Sequence, residues 1–206
     1  LDRTVAKAAR KNSLRALDKL TRREDDALRI ISDPPLIVPL AELAEEQGIQ
    51  IDLKPLLEGL IEEYRRSVHP DVRHLVDRYR YVDAAHKVVG VGSVGTRCWI
   101  VLLLGRDEED PLFLQVKETG RSVLEPYSGH QGFRHQGRRV VEGQRLMQAA
   151  SDILLGWLTG PGLVGQGLGR IRQREFYVRQ LWDGKGSAEI DRFDVEGMKV
   201  YATLCG

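Results

Sequence analysis

A chain of 206 residues that is 42% apolar and 30% charged can bury a real hydrophobic core, which excludes a disordered or fibrous protein. Lys plus Arg (31) nearly balance Asp plus Glu (30), and the net charge of +1 gives no global pull toward nucleic acid or an anionic membrane. The two cysteines, Cys98 and Cys205, have no CxxC or zinc spacing, no apolar run reaches the roughly 18 residues that span a bilayer, and the N-terminus lacks a signal-peptide core, so a cytoplasmic protein is expected.

Residues 3–20 read as a helix, with Leu14, Leu17 and Leu20 on one stripe. Asp33-Pro34-Pro35 interrupts any regular element. Leu36 to Leu40 is a short apolar run of strand character. Leu56, Leu57, Leu60 and Ile61 recur at helical spacing, which predicts an amphipathic helix over 52–67. A further helix starts near Pro70 and carries Val72, Leu75, Val76 and Tyr79. The pattern changes at His86. Lys87-Val88-Val89 is β-prone and precedes a glycine-rich turn. Cys98 to Leu104 and Leu112 to Lys117 read as strands, and 121–138 as a polar loop. Residues 140–150 read as a helix with Val141, Leu146 and Ala149 inward. Ile153 to Leu158 and Phe176 to Leu181 read as two more strands joined by the glycines of 160–169. Asp194 to Leu204 closes the chain as a helix. Short connections between neighbouring strands imply an antiparallel sheet, and the class is α+β. The expected division is a helical segment over 1–85 and a sheet lobe over 86–206.

Gly90, Gly92 and Gly95 form a GxGxxG with Ser93 inside it. In a dinucleotide-binding fold this loop must open a helix whose N-terminus holds the pyrophosphate. In a kinase-like fold it is a hairpin whose backbone covers ATP phosphates. The residues after Gly95 include Trp99, β-branched residues and three leucines, with no capping residue, and favour the hairpin. Lys117 ends the third strand, where a rigidly held cation would meet phosphate oxygens. Glu142, in the following helix, is the carboxylate that would steady its flexible stem. Leu181 to Lys185 leaves the last strand as a hinge, where backbone groups would read an adenine edge. His130 and His135 have no Cys or carboxylate nearby and read as parts of a polar loop. The glycines of 160–169 lack a following GK[ST], so they form no Walker loop.

Residues 87–98 (KVVGVGSVGTRC), 114–118 (LQVKE), 140–152 (VVEGQRLMQAASD) and 176–181 (FYVRQL) resemble a large uncharacterised bacterial family, domain of unknown function 2252. The resemblance covers nearly the whole chain. It implies similarity to the protein-kinase-like superfamily, in the branch of small-molecule and antibiotic phosphotransferases. The implied fold is a kinase-like N-lobe of about five antiparallel strands with one packed helix. The implied cofactor is ATP at Gly90, Gly92, Ser93, Gly95, Lys117 and Glu142, with an unknown small-molecule or protein acceptor.

Phosphoryl transfer also needs a catalytic Asp and metal ligands, commonly an Asn and a second Asp. The only Asn is Asn12, and His69-Pro70-Asp71 lacks a downstream Asn. Family acidic motifs are expected upstream of Leu1, so Mg2+ is expected only if such segments supply its ligands. The chain thus reads as the middle of a longer protein, inactive in transfer by itself. Two alternatives stay open: a non-catalytic kinase-like binding module, and a dinucleotide-dependent oxidoreductase that would need a helix after Gly95.

Overall fold

The computed structural model describes residues 13–25, 27–48, 53–88, 95–129, 132–161, 173–181 and 193–205. In chain order the elements are α1 (Ser13–Leu20), β1 (Thr21–Glu24), β2 (Ala27–Ile30), β3 (Ile37–Pro39), α2 (Leu40–Glu46), α3 (Leu53–Ser67) and α4 (Pro70–Val76). They continue with β4 (Arg80–Lys87), β5 (Cys98–Leu104), β6 (Pro111–Thr119), α5 (Glu125–Ser128), α6 (Gln136–Met147), β7 (Gly156–Pro161), β8 (Gln173–Gln180) and α7 (Val195–Cys205). The class is α+β. Every neighbouring pair of strands is antiparallel.

The main sheet has six strands in the order β3-β4-β5-β6-β8-β7. It exceeds the five expected because β3, at one edge, precedes residue 86, and β4 begins at Arg80, six residues before the expected change of character. The segment before residue 86 is therefore not purely helical. It also supplies the β1–β2 hairpin, whose turn includes Asp25 at φ 46. That hairpin has no apolar alternation in Thr-Arg-Arg-Glu to announce it. Its anchor is tertiary: the Asp83 carboxylate, in β4, accepts the Ile30 N–H at 2.9 Å.

Antiparallel register puts alternate residues on opposite faces of the sheet. Trp99, Val101 and Leu103 of β5, Leu112, Leu114 and Val116 of β6, and Phe176 and Val178 of β8 lie on one face. They pack with Leu40, Leu43, Tyr64, Val68 and Val76 from α2, α3, α4 and the turn between the last two. Ile100, Leu102, Leu104 and Phe113 occupy the other face with Ala16 and Leu20 of α1, Ile30 of β2 and Leu181. The buried residues of α1 are Ala16 and Leu20, while Leu14 is half exposed. Its inward stripe therefore runs i, i+4, not through Leu14.

Helix α3 does more than cover a face. β7 is an edge strand, and edge strands present unpaired N–H groups. The Trp157 N–H donates to Ser67 Oγ at 2.7 Å and the Thr159 N–H donates to Glu63 Oε1 at 2.9 Å. Side chains of α3 thus take the place of a further strand. Ser67 Oγ also donates to the Tyr64 carbonyl, and Tyr64 Oη donates to the Leu154 carbonyl at 2.8 Å. The approach is close: a Cβ on Gly156 would lie 2.7 Å from Ser67 Oγ and 2.8 Å from the Tyr64 ring. Removing Ser67 Oγ leaves the part-buried Trp157 N–H without its acceptor. Ser67→Ala is expected to cost about 1–3 kcal/mol in denaturant melts, with faster hydrogen exchange at the Trp157 amide. An unchanged midpoint together with unchanged Trp157 protection would show that the edge is closed some other way.

Candidate functional site

Register places one row of side chains across five strands on the α1 face. Cys98 of β5 is the partner of Lys117 of β6. Lys117 is the partner of Tyr177 of β8, and Tyr177 of Trp157 in β7. On the other side, the pairing of His86 with Trp99 and Ala85 with Ile100 brings Lys87 beside Cys98. The row therefore reads Lys87, Cys98, Lys117, Tyr177, Trp157. Cys98 is buried and the other four are partly exposed. The opposite face of the same strands is largely apolar where it meets α3. One cavity there, about 80 Å³, is lined by side chains such as Leu57, Leu60, Trp99 and Val116, none of them a phosphate ligand.

Among the described residues neither Lys87 nor Lys117 forms an ion pair. Burial pushes the Lys87 ammonium down from its usual 10.5, opposed through space by Cys98 and then Asp33. Burial pushes the Cys98 thiol up to about 11, against the pull of Lys117, a hydrogen bond with Gln115, and Lys87. The thiol is therefore neutral near pH 7 and compensates neither lysine. Burial also raises the Tyr177 hydroxyl.

Helix α6 stands on the same face, over the Trp157 end of the row. Its start is built by three contacts. His135, at the N-cap, accepts the Arg138 N–H on Nδ1 at 3.1 Å. That leaves the proton on Nε2, which donates to Thr159 Oγ1 at 3.2 Å. The Gln136 N–H donates to Glu175 Oε2 at 2.8 Å. Gly137 is required because a Cβ there would lie 2.2 Å from the Phe176 carbonyl oxygen. This early start corrects the expected 140–150 helix. The buried stripe is Gly137 and Val141 (i, i+4), whereas Leu146, five residues from Val141, is 85% exposed and Ala149 lies beyond the helix. His135 is accordingly a cap, not a loop residue.

Lys117 and α6 share a sheet face, but the expected Lys117–Glu142 ion pair is not formed. Glu142 lies 3.7 Å from Arg138 Nε and 3.6 Å from Arg145 Nη1. The Arg138 guanidinium sits 5.5 Å over the Trp157 ring, and Arg145 Nη2 donates to the Leu155 carbonyl. The Arg138–Glu142–Arg145 line therefore leans toward β7, away from β6. Two cations within one helical turn claim the carboxylate first. Gly95 turns into β5 with φ +82°, and Cys98–Leu104 is strand, so the helix that the dinucleotide reading needs is missing from that stretch. Gly90, Gly92 and Ser93 lie outside the described residues, as do 182–185 of the expected hinge. Leu181 is buried and its N–H donates to the Phe113 carbonyl at 2.9 Å.

Glu118, beside Lys117 but on the opposite face, escaped the sequence analysis. Its Oε2 accepts from Arg97 Nη1 at 2.9 Å and from the Arg97 N–H at 3.1 Å, and its Oε1 lies 3.2 Å from Arg174 Nη1. It joins the chain just before β5 and the start of β8 to β6. Among the described residues no group of three or more His, Cys, Asp or Glu could hold a metal, and no helix is long and apolar enough to cross a membrane.

Two measurements probe this geometry. Glu118→Ala removes the carboxylate shared by Arg97 and Arg174 and is expected to cost about 1–3 kcal/mol, read from denaturant midpoints. A loss below about 0.5 kcal/mol would place Glu118 among ordinary surface pairs. The second concerns His86, whose ring edge meets Trp99 at 5.5 Å between centroids. Burial, then the Arg97 charge, hold it below its usual 6.5. The folded state thus prefers the neutral ring, and the unfolded state binds the proton first. Stability is complete above pH 6.5 and falls as pH drops through the window below it. Trp99 fluorescence melts should show that slope, and His86→Gln should flatten it; the same slope in the variant would assign it elsewhere.

A family model described as "Uncharacterized protein conserved in bacteria (DUF2252)" matches residues 1–206. No curated protein and no solved structure matches the chain. On the strength of that end-to-end match, the chain belongs to the uncharacterised bacterial family DUF2252.

Proposed function

We propose that the six-stranded sheet with α6 is the ATP-binding lobe of a kinase-like phosphotransferase whose acceptor is unknown. The observation that carries this reading is the row containing Lys117. A lysine held on the central part of a sheet, without a carboxylate partner among the described residues, is poised for an anionic ligand. The strand order supports it further. β6, with Lys117, lies between β5, which leaves the glycine-rich loop, and β8, which leads into the proposed hinge. A nucleotide lying across these three strands would meet glycine-loop backbone, lysine and hinge backbone within two strand spacings, about 10 Å. Gly90, Gly92, Ser93 and Gly95 would cover its phosphates.

A second reading, a kinase-like module that binds without transferring, is favoured by one observation. Glu142 is committed to Arg138 and Arg145, so the lysine is not held in the paired arrangement that kinase-type transfer requires. Both readings predict binding; they differ in whether the bound phosphate is transferred.

Titration calorimetry of the 206-residue chain with ATP tests the shared claim. Lys117→Met removes a charge-assisted contact and is expected to weaken ATP roughly tenfold or more, with little change in melting temperature. Equal affinity in variant and parent would remove Lys117 from the site. With magnesium present, the chain by itself is expected to release no γ-phosphate, since it has no Asn besides Asn12 to serve as the usual metal ligand. Turnover abolished by Lys117→Met would reveal catalytic residues within this chain.

A further inference from the structure

We infer that Lys87 is a second phosphate-binding cation, acting with Lys117 from opposite sides of Cys98 to select polyphosphate ligands over monophosphates. The inference deepens the nucleotide-lobe reading and rests on it.

The geometry comes from three adjacent strands. Lys87 is the last residue of β4, Cys98 the first of β5, and Lys117 lies near the end of β6. Cys98 pairs directly with Lys117, and continuing the His86–Trp99 register sets Lys87 on its other side. Both lysines act electrostatically on the Cys98 thiol, which places their charges close to the same sulfur. Two strand spacings separate the two backbones by about 10 Å. Flexible lysine stems reaching inward from that distance can grip neighbouring phosphates of one chain, but a single phosphate fills only one of the two positions.

Charge balance points the same way. The whole protein carries a net charge of +1. Yet this part of the sheet face collects Lys87 and Lys117 around a neutral thiol, with Lys19 of α1 close enough to depress Lys87 further. Among the described residues the charges that act on Lys87 are those of Cys98, Asp33 and Lys19. Several other cations do have carboxylate partners: Arg97 and Arg174 meet Glu118, and Arg138 and Arg145 meet Glu142. Lys87 and Lys117 have no carboxylate in ion-pair contact among the described residues, so an anionic ligand between them would meet two uncompensated cations. Each additional phosphate contact then adds a charge-assisted bond.

The test compares the parent chain with Lys87→Met, Lys87→Arg and Lys117→Met. Titration calorimetry is run with ATP, ADP, AMP and inorganic tripolyphosphate at fixed ionic strength. Lys87→Met is expected to weaken ATP and tripolyphosphate roughly tenfold and AMP by less than about threefold, while Lys87→Arg stays near the parent because the charge persists. Should Lys87→Met fail to fold, Lys87→Gln against Lys87→Arg carries the same comparison. Unchanged ATP affinity in Lys87→Met, beside a loss in Lys117→Met, overturns the second cation and leaves the nucleotide reading standing. Lys87-dependent tripolyphosphate binding without any nucleotide binding keeps the paired-lysine anion site and removes the nucleotide reading. Equal losses for AMP and ATP in Lys87→Met overturn the selection for polyphosphate. No binding of any of the four probes by the parent removes both.

Discussion

The register of β6 between β5 and β8 is the constraint on which the rest of the molecule depends. A side-chain period of two means that a slip of one residue would exchange the faces of the whole strand. Leu112, Leu114 and Val116 would then face α1, and Lys117 would be driven into the apolar core beneath α3. Two kinds of interaction prevent this. The first is packing: Phe113, 0% exposed, fits among Ala16, Ile100 and Leu181, and no polar residue could replace it there. The second is Glu118, which takes Arg97 from one side and Arg174 from the other. A carboxylate shared by two guanidiniums is directional, whereas apolar packing alone tolerates small shifts. Lys117 inherits its position from its neighbour's ion pairs.

Much of this sheet could be read from the chain itself, because its central strands carry local signals. Cys98 to Leu104 and Leu112 to Lys117 are rich in apolar and β-prone residues, and they became β5 and β6. The 52–67 helix was likewise written in the spacing of Leu57, Leu60 and Ile61. What stayed hidden depends on partners far along the chain. The β1–β2 hairpin rests on Asp83, 53 residues beyond Ile30. The closure of β7 rests on Ser67, 90 residues before Trp157. The start of α6 moved forward because His135 caps it and Gly137 fits against β8, and neither residue belongs to an apolar stripe.

The candidate site divides in the same way. The place of Lys117 on β6 was legible, since a lysine closing an apolar strand is locally unusual. Lys87 was not, because Lys87-Val88-Val89 reads simply as the entrance to a glycine-rich turn. Its place beside Cys98 appears only when β4, β5 and β6 are laid side by side. Glu142 was legible as a helix carboxylate, but its choice of partner was not. Arg138 and Arg145 are four residues before it and three after it, and such helical neighbours are always within reach. A partner on another element must compete with them.

That competition bears on how the proposed lobe could work. For Glu142 to meet Lys117, α6 must turn or slide so that its Arg138–Glu142–Arg145 side leaves β7. Small motions are blocked at the N-terminus, where Gly137 sits against the Phe176 carbonyl and His135 is bonded to Thr159. The C-terminal end is held more lightly, chiefly by Arg145 on the Leu155 carbonyl, and Leu146 and Met147 there are exposed. A hinge at the capped end with release of the far end is therefore the movement of least cost. It would break one charge-assisted bond and two longer ion pairs of 3.6 and 3.7 Å, interactions of modest strength at partly exposed positions. An anion on Lys117 would not draw Glu142 inward, since like charges repel. In the nucleotide-lobe reading, the ligand first stabilises the lysines themselves. A paired Glu142 then requires a further group to take over Arg138 and Arg145.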